Sequence, residues 1–371
     1  MSIFRDCFVK ESPIFTGISR GVGGFGYGAS GGAAGPAGHV DHISGLSGDG
    51  TKIVTDGVTF YQANHAVQLN NPATAPSFQF TTAQPFYVAM IGASGAAGYN
   101  NAPSGLGGIG VALVTPGTST TYRLWSGVGG YWSNNNTSSH EKAEYRGGAG
   151  GIGNQTGLSN TYRIQGGGGG AGALIRGTGG LSSSGNILAM VGSGGGSGNG
   201  GGAGAGHGGG FNRNGVTKTV NGTANGQGAT TSSAGDGGTF NPNYASAGNG
   251  GGFLNGGQGG NSDYDAGHGG GCGWYGGGGG SGGGGFSGGA GGGGSGKTQN
   301  VSGDTVDLSS PLTNTADGST TGSTDLQTWI RAASGVNYVI PNNGNYGMQA
   351  DHSGSREGHA GWACVWSYHA L

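Results

Sequence analysis

Two histidines and three serines within glycine-rich sequences are the residues whose spacing could support chemistry. His207 and His268 each lie in Gly-His-Gly-Gly-Gly, which matches the loop that supplies oxyanion-hole amides in esterases. Ser30, Ser281 and Ser287 each occupy the centre of Gly-x-Ser-x-Gly, the pattern of the nucleophile in such enzymes. A nucleophile elbow lies between a strand and a helix, and none of these serines is predicted to do so. We therefore expect that the protein is not an enzyme.

A metal site has equally weak support. Asp263, Asp265 and His268 could ligate a cation, but a polar loop that joins two glycine segments explains them more simply. The three cysteines are far apart and form no Cys-x-x-Cys pair, so neither a zinc site nor a disulfide framework is indicated. We expect no metal and no cofactor.

Aromatic residues in polar loops are better candidates for function. Rings flanked by Gly, Asn and Ser make rigid, amphipathic contacts at low entropic cost, and neighbouring amides suit sugars. The alternative is that these rings cap the ends of glycine segments; it is favoured for Trp274 and Tyr275 and is equally weighted for Tyr131 and Trp132. The candidate binding residues are Tyr131, Trp132, Asn134, Tyr244, Tyr264, Trp274 and Tyr275.

The composition of the chain excludes several classes of protein. Glycine accounts for 99 of 371 residues and charged residues for 8%, whereas an average protein has about 7% glycine and about 25% charged residues. A net charge of -2 excludes a basic surface for nucleic acid, and no continuous apolar segment is long enough to span a membrane. With 32% hydrophobic residues, we expect no large apolar core.

The glycine itself allows three structures. Collagen is excluded, because glycine does not recur at every third position and the chain has only 10 prolines. A flexible Gly/Ser linker is the second structure. The third is a bundle of extended glycine helices with three residues per turn, whose backbones bond to one another. We favour this bundle for residues 192–296.

The remaining sequence predicts short strands with glycine at their ends and almost no helix. The apolar run at 86–91 has a close repeat about one hundred residues later, at 186–191. One short helix is predicted over 325–331, with Thr324 or Asp325 as its N-cap. Residues 29–50 read as a polar linker. The predicted strands are 52–54, 58–61, 77–81, 86–91, 110–114, 122–125, 161–164, 173–176, 186–191 and 362–368.

Several parts of the sequence resemble the glycine-rich domain first known from anaplastic lymphoma kinase. They are the strands ending in Gly-x-x-Gly, the segments GLGGIGVALVTPGTSTTYRLWSGVGG and NILAMVGSGGGSGNGGG, and the later GHGGGCGWYGGGGGSGGGGFSGGAGGGGSG. The resemblance covers residues 78–371 and implies an all-β fold: a β-sandwich with an inserted bundle of polyglycine II helices. Similar domains occur in bacterial and phage surface proteins, and the glycine-sandwich adhesins of phage tail fibres share this architecture. The kinase domain has no counterpart here, so receptor signalling does not carry over.

The first 28 residues are predicted to be an extended anchor peptide. They are aromatic, lack a core of their own and contain no apolar run typical of a signal peptide. We expect three parts: the anchor at 1–28, a linker with short strands at 29–77 and the glycine-rich domain at 78–371. The residues expected to anchor the chain are Phe4, Arg5, Phe8 and Phe15.

These features together predict a structural protein of a phage virion, assembled in the host cytoplasm and exposed on the particle. The expected form is a tail fibre or spike that binds other virion proteins through residues 1–28. Its aromatic loops would contact a glycan or protein of the host surface. A homo-oligomer is expected, with a trimer as one form. The alternatives are a capsid decoration or head-fibre protein and a bacterial surface adhesin.

Overall fold

The computed structural model describes fourteen stretches of the chain. These are residues 39–63, 75–98, 102–117, 121–133, 165–198, 204–218, 224–239, 246–262, 266–283, 288–310, 312–319, 321–341, 346–347 and 358–369.

The described residues form fifteen strands and one α-helix. The helix, α1, spans Gly322–Ser334, and a single 3-10 turn spans Ser184–Asn186. The strands are β1 (Ser44–Gly48), β2 (Gly50–Thr55), β3 (Val58–Ala63), β4 (Ser77–Thr81), β5 (Phe86–Ile91), β6 (Ile109–Thr115), β7 (Thr121–Trp125), β8 (Trp132–Ser133), β9 (Gln165–Gly166), β10 (Gly172–Arg176), β11 (Ile187–Val191), β12 (Lys297–Thr298), β13 (Thr305–Asp307), β14 (Asn314–Ala316) and β15 (Trp362–Ser367).

Two antiparallel sheets contain most of these strands. The first sheet has the order β1-β4-β7-β10-β11-β12. The second has the order β13-β6-β5-β15-β3-β2, and β14 also pairs with β6. A separate pair, β8 with β9, stands apart from both sheets. The prediction of an all-β class is therefore confirmed.

Alternation along the strands divides the apolar side chains between two faces of each sheet. In β5, Phe86, Val88 and Met90 join a cluster shared with the first sheet, whereas Tyr87 and Ile91 join a cluster beneath α1. Successive side chains of a strand point to opposite faces, so one continuous apolar run serves two cores. A third cluster covers the other face of the first sheet. The expectation that the chain lacks a large apolar core is wrong, because strands β5, β11 and β15 are buried on both faces and three apolar clusters pack around the sheets.

Most predicted strands are confirmed within one or two residues, while 161–164 lies outside the described residues. Residues 44–48, predicted as linker, form β1 and pair with β4. Strand β3 likewise pairs with β15, so both sheets contain strands from before residue 77.

The predicted helix is also confirmed, but its N-cap is Thr321 rather than Thr324 or Asp325. The helix begins earlier, at Gly322, which lies beside Ile109 of β6. It ends at Gly335, which has the left-handed φ of 73° that favours glycine after a helix.

Outside the sheets, extended segments bond to one another through their backbones. Residues three apart in one segment donate to the same neighbouring segment, over N···O distances of 2.8–3.0 Å. Within 192–197, the donor pairs are Gly192 and Gly195, Ser193 and Gly196, and Gly194 and Ser197; their acceptors lie within 206–209, 269–272 and 93–96, respectively.

The same pattern recurs in the densest glycine sequence. Within 276–281, the donor pairs are Gly276 and Gly279, Gly277 and Gly280, and Gly278 and Ser281; their acceptors lie within 249–252, 268–271 and 224–227. The network also includes 92–98, 105–108, 167–170 and 358–361, well beyond the predicted range of 192–296. The described glycine segments are therefore not a free linker.

Candidate functional site

The glycine network leaves almost no room for side chains within it. A Cβ at Gly278 would overlap the carbonyl group of Asp236, and one at Gly294 would overlap that of Cys272. A Cβ at Gly92 would overlap the carbonyl of Gly192. Because the clashing atoms belong to backbone, they could yield only if a whole segment moved. The network is thus a rigid support, and functional side chains must lie at its surface.

Tyr131 is the most exposed of the described candidate residues. It lies immediately before β8, its carbonyl accepts from the Gly167 N–H at 2.8 Å, and its side chain is 38% exposed. The neighbouring Trp132 is half-buried and pairs with Gly166 of β9. The backbone of this pair is fixed while the Tyr131 ring remains accessible, which suits a contact residue.

Trp274 and Tyr275 lie against the first sheet. Trp274 is only 5% exposed and packs edge-on against Phe253, with ring centroids 5.4 Å apart. The Lys297 ammonium lies 4.5 Å from the centroid of the Trp274 ring. Tyr275 is half-buried and contacts Phe253 at 6.4 Å. Trp274 is therefore packed as the capping alternative expects, whereas Phe253 and Tyr275 keep part of their surface in solvent.

The remaining predicted site residues lie outside the described residues. They are Asn134, Tyr244 and Tyr264 among the binding candidates, Phe4, Arg5, Phe8 and Phe15 in the anchor, and Asp263 and Asp265 of the weighed cation site.

The esterase-like sequences are parts of the backbone network. The amides of Gly269, Gly270 and Gly271 donate to the carbonyls of Gly166, Gly257 and Gly292. Those of Gly206, Gly208 and Gly209 donate to Gly291, Leu106 and Gly294. An oxyanion hole needs donors aimed at the reacting atom, and these six amides already have partners.

The described side chains of these motifs also bond to the backbone, while Ser30 and Ser287 lie outside the described residues. The buried Ser281 hydroxyl donates to the carbonyl of Ala224 at 3.2 Å. His268 Nδ1 accepts from the Gly166 N–H at 2.9 Å, so the proton of the neutral ring is on Nε2. His207 Nδ1 accepts from the Leu106 N–H at 3.1 Å. Because the Nδ1 atoms of His268 and His207 accept these bonds, neither Nδ1 is free to act as a base or to ligate a cation.

Burial lowers the pKa of both histidines. Desolvation lowers the pKa of His268 to about 4. Desolvation, followed by the charge of Lys218, lowers the pKa of His207 to about 4. Both rings are therefore neutral near neutral pH. Among the described residues, no group of three His, Cys, Asp or Glu side chains could hold a metal ion.

Sequence reasoning missed two polar clusters. The fully buried Asp304 carboxylate accepts from the Gly117 N–H at 2.6 Å and lies 3.4 Å from Arg176 Nε, which links loops of the two sheets. The other cluster joins His39 and Asp41 to the end of β15. The dense sequence His-Val-Asp-His at 39–42 was a signal for the second cluster, but it lay within the supposed linker.

Comparison with known proteins adds no family to this description. No protein-family model matches the chain, and no curated protein matches it in sequence. Among the described residues, no helix is both long and apolar enough to cross a membrane.

Proposed function

We propose that the extended segments are a bundle of polyglycine II helices attached to a β-sandwich. The three-residue repeat of donors supports the bundle, because an extended helix of this type has three residues per turn and no internal hydrogen bonds. With three residues per turn, three successive residues of one segment bond to three different neighbouring segments. The apolar cluster shared by the two sheets supports the sandwich. This architecture is that of the glycine-rich domain which the sequence resembles.

We further propose that the chain is a structural protein of a phage virion, a tail fibre or spike with an adhesin role. Residues 1–28 would attach it to other virion proteins, and the glycine-rich domain would face a host glycan or protein. The chain would be assembled in the host cytoplasm, exposed on the particle and homo-oligomeric. Neither nucleic acid binding nor catalysis is part of this function.

The observation that carries this proposal is the backbone network itself. A support stabilised by main-chain bonds needs few charged or apolar side chains at its surface, so its loops can vary without loss of the fold. The exposed Tyr131, on a backbone held by Gly167, illustrates how such a support presents a contact residue. Preorganised contact residues bind with less loss of conformational entropy, which favours a role in recognition.

The alternatives are a capsid decoration or head-fibre protein and a bacterial surface adhesin. Immunogold electron microscopy with an antibody against the purified chain separates them, in lysates of the cells that produce it. Gold at the tail is expected for a fibre or spike. Gold on the head would support a decoration protein, and gold on cells without particles would support an adhesin. A chain found on neither particles nor cell surfaces would overturn the proposal.

A further inference from the structure

Two histidines meet where the described chain begins and where it ends. The rings of His39 and His369 contact edge to face, with centroids 4.7 Å apart and an interplanar angle of 78°. His369 is 7% exposed, and the buried His39 Nε2 and both His369 ring nitrogens have no hydrogen-bond partner in the described residues. A buried polar group without a partner is costly, and a buried charge costs far more.

Asp41 holds the same segment to the sheets. Its Oδ1 accepts from the Ser367 hydroxyl at 3.2 Å and from the Ile43 N–H at 3.1 Å, and its Oδ2 accepts from the Tyr61 hydroxyl at 2.6 Å. The Ser367 hydroxyl oxygen in turn accepts from the His42 N–H at 2.8 Å. Residues 39–42 are therefore docked on the end of β15 by a small set of polar bonds and one pair of rings, while the buried Ile43 anchors the segment in the apolar core.

The charges around the pair act in opposite directions. Burial, the neighbouring His369 and the exposed His42 lower the pKa of His39, while Asp41 and a hydrogen bond to the Ser367 backbone raise it; burial is the largest of these effects. The other nearby groups are the Lys52 ammonium, 4.0 Å from Asp41 Oδ2, and the Tyr61 hydroxyl. Asp41 can thus compensate one imidazolium, but it already accepts three hydrogen bonds and shares its charge with Lys52.

We infer that the His39–His369 contact is an acid-opened clasp, which holds residues 39–42 on β15 while both rings are neutral and releases them when both are protonated. Two cations in ring contact repel each other, and the ring nitrogens of the buried His369 have no hydrogen-bond partner among the described residues. Releasing the segment returns both rings to water, which solvates the charged form. This inference is independent of the proposed function.

Hydrogen exchange of the full chain, followed by mass spectrometry, tests the clasp. Protection factors, corrected for the intrinsic pH dependence of exchange, are compared at about pH 8 and about pH 5, on either side of the ordinary histidine pKa. Protection of a peptide covering 39–48 is expected to fall more than that of β5, because the segment is released only when both rings of the pair carry charge. An equal change in both peptides would overturn the inference.

Two variants identify the responsible rings. His369→Phe keeps a ring but removes its charge, so the acid-induced loss of protection is expected to shrink to about twofold or less. His42→Gln removes a neighbouring exposed histidine but retains the His39–His369 contact, so it is expected to keep the acid-induced loss of protection. A full acid response in His369→Phe would overturn the inference. If that variant is undocked even at about pH 8, the histidine proton resonances of the wild type decide: independent titration of His39 and His369 would overturn the clasp, and coupled titration would support it.

Discussion

At the scale of single residues, the stability of this protein depends on glycines, whose lack of a Cβ lets two backbone segments lie in contact. In an ordinary core, side chains of the right shape fill the space between elements. Here many carbonyl groups occupy the position that a Cβ would take on a neighbouring glycine, as Asp236 does beside Gly278. Sequence identity at such positions is therefore dictated by the backbone of another segment rather than by local conformation.

Replacement of Gly278 by Ala is expected to destabilise the protein by more than about 2 kcal/mol. The new Cβ would displace the segment containing Asp236, and each buried backbone group left unpaired costs roughly 1–3 kcal/mol. Gly278 itself donates to Gln227 and accepts from Gly292, both at 2.9 Å, so several bonds are at risk. The free energy of unfolding, measured in denaturant, gives the loss.

Gly179→Ala is the matched control for that variant. Gly179 is exposed, has nothing within 4 Å of the position that a Cβ would take and does not adopt a positive φ. Its replacement is expected to change stability by no more than about 1 kcal/mol, with a small gain from the less flexible unfolded chain. Equal effects of the two replacements would contradict the backbone network.

Buried neutral histidines should make the fold sensitive to acid. The unfolded chain binds protons at an ordinary histidine pKa of about 6.5, whereas the folded pKa of His207 and His268 is about 4. Stability is therefore fully present above about pH 6.5 and falls as the pH is lowered toward about 4, by up to about 1.4 kcal/mol per unit for each histidine. Urea unfolding across this range measures the slope.

His268→Gln tests the contribution of one ring. The side-chain oxygen of Gln can accept from the Gly166 N–H, as Nδ1 of His268 does, but it does not titrate. The slope of stability against pH should fall by up to about 1.4 kcal/mol per unit relative to wild type. An unchanged slope would show that His268 is not the titrating group.

In such a glycine-rich sequence, short motifs could not identify the hydrogen-bond partners of their residues. The sequence favoured a structural explanation for the motif around His268, but it could not show that its amides bond to Gly166, Gly257 and Gly292. Those partners are up to about one hundred residues away, and glycine carries no side-chain pattern that would indicate register. For the same reason, the sequence could not show that Trp274 packs beneath Lys297 and beside Phe253.

At the scale of elements, strands were predictable because their apolar residues have a physical period. Strand β5 and its repeat β11 were evident from continuous apolar runs, which fit strands covered on both faces. Strand β1 was not, since its sequence SGLSG has one apolar residue and all five residues are exposed. The segments 92–98 and 105–108 carry no such period, because their bonds depend on partners in other parts of the chain.

Deletion of residues 1–28 is expected to leave stability unchanged and to abolish incorporation into particles. Residues 1–28 are predicted from the sequence to lack a core of their own, so we expect the unfolding free energy to stay within about 0.5 kcal/mol of wild type. Particle incorporation, measured by immunoblot of purified virions, should be lost if 1–28 is the anchor. Normal incorporation of the shortened chain would refute the anchor.

A longer deletion, of residues 1–43, provides the contrast. It removes Asp41, which accepts from Tyr61 and Ser367, together with the buried Ile43. Unfolding free energy is expected to fall by more than about 1 kcal/mol, because the buried Tyr61 hydroxyl loses the Asp41 carboxylate and the Ile43 carbonyl as partners. The two deletions together separate attachment from folding.

At the scale of the whole molecule, the β-sheets and the glycine segments stabilise the fold in different ways. The sheets bury aromatic and aliphatic side chains such as Phe80, Tyr122 and Trp366, which supply the hydrophobic contribution to stability. The glycine segments contribute little apolar area, and their many backbone bonds offset the entropy that glycine loses on folding. A strand that is followed by glycine leads directly from a sheet into a glycine segment, as β11 does at Gly192.

This division leads to a prediction for recognition. Tyr131→Ala is expected to weaken attachment of particles to the strain on which they grow by about fivefold or more, since truncation of an aromatic contact residue costs more than about 1 kcal/mol of binding. Its effect on unfolding should stay within about 0.5 kcal/mol, because the ring is 38% exposed and the backbone bond to Gly167 is retained. Attachment is measured by loss of free particles from a cell suspension.

Val339→Ala is the control for a large exposed side chain elsewhere, since Val339 is 63% exposed in the loop after α1. It should alter neither attachment nor stability. Unchanged attachment of Tyr131→Ala with a loss of more than about 1 kcal/mol in stability would assign Tyr131 to capping, because truncating a packed ring removes burial rather than binding. Weakened attachment in both variants would mean that the loss is not specific to the surface around Tyr131. A selective effect of Tyr131→Ala would place the contact surface beside β8 and β9, where the Gly167 N–H holds the carbonyl of Tyr131.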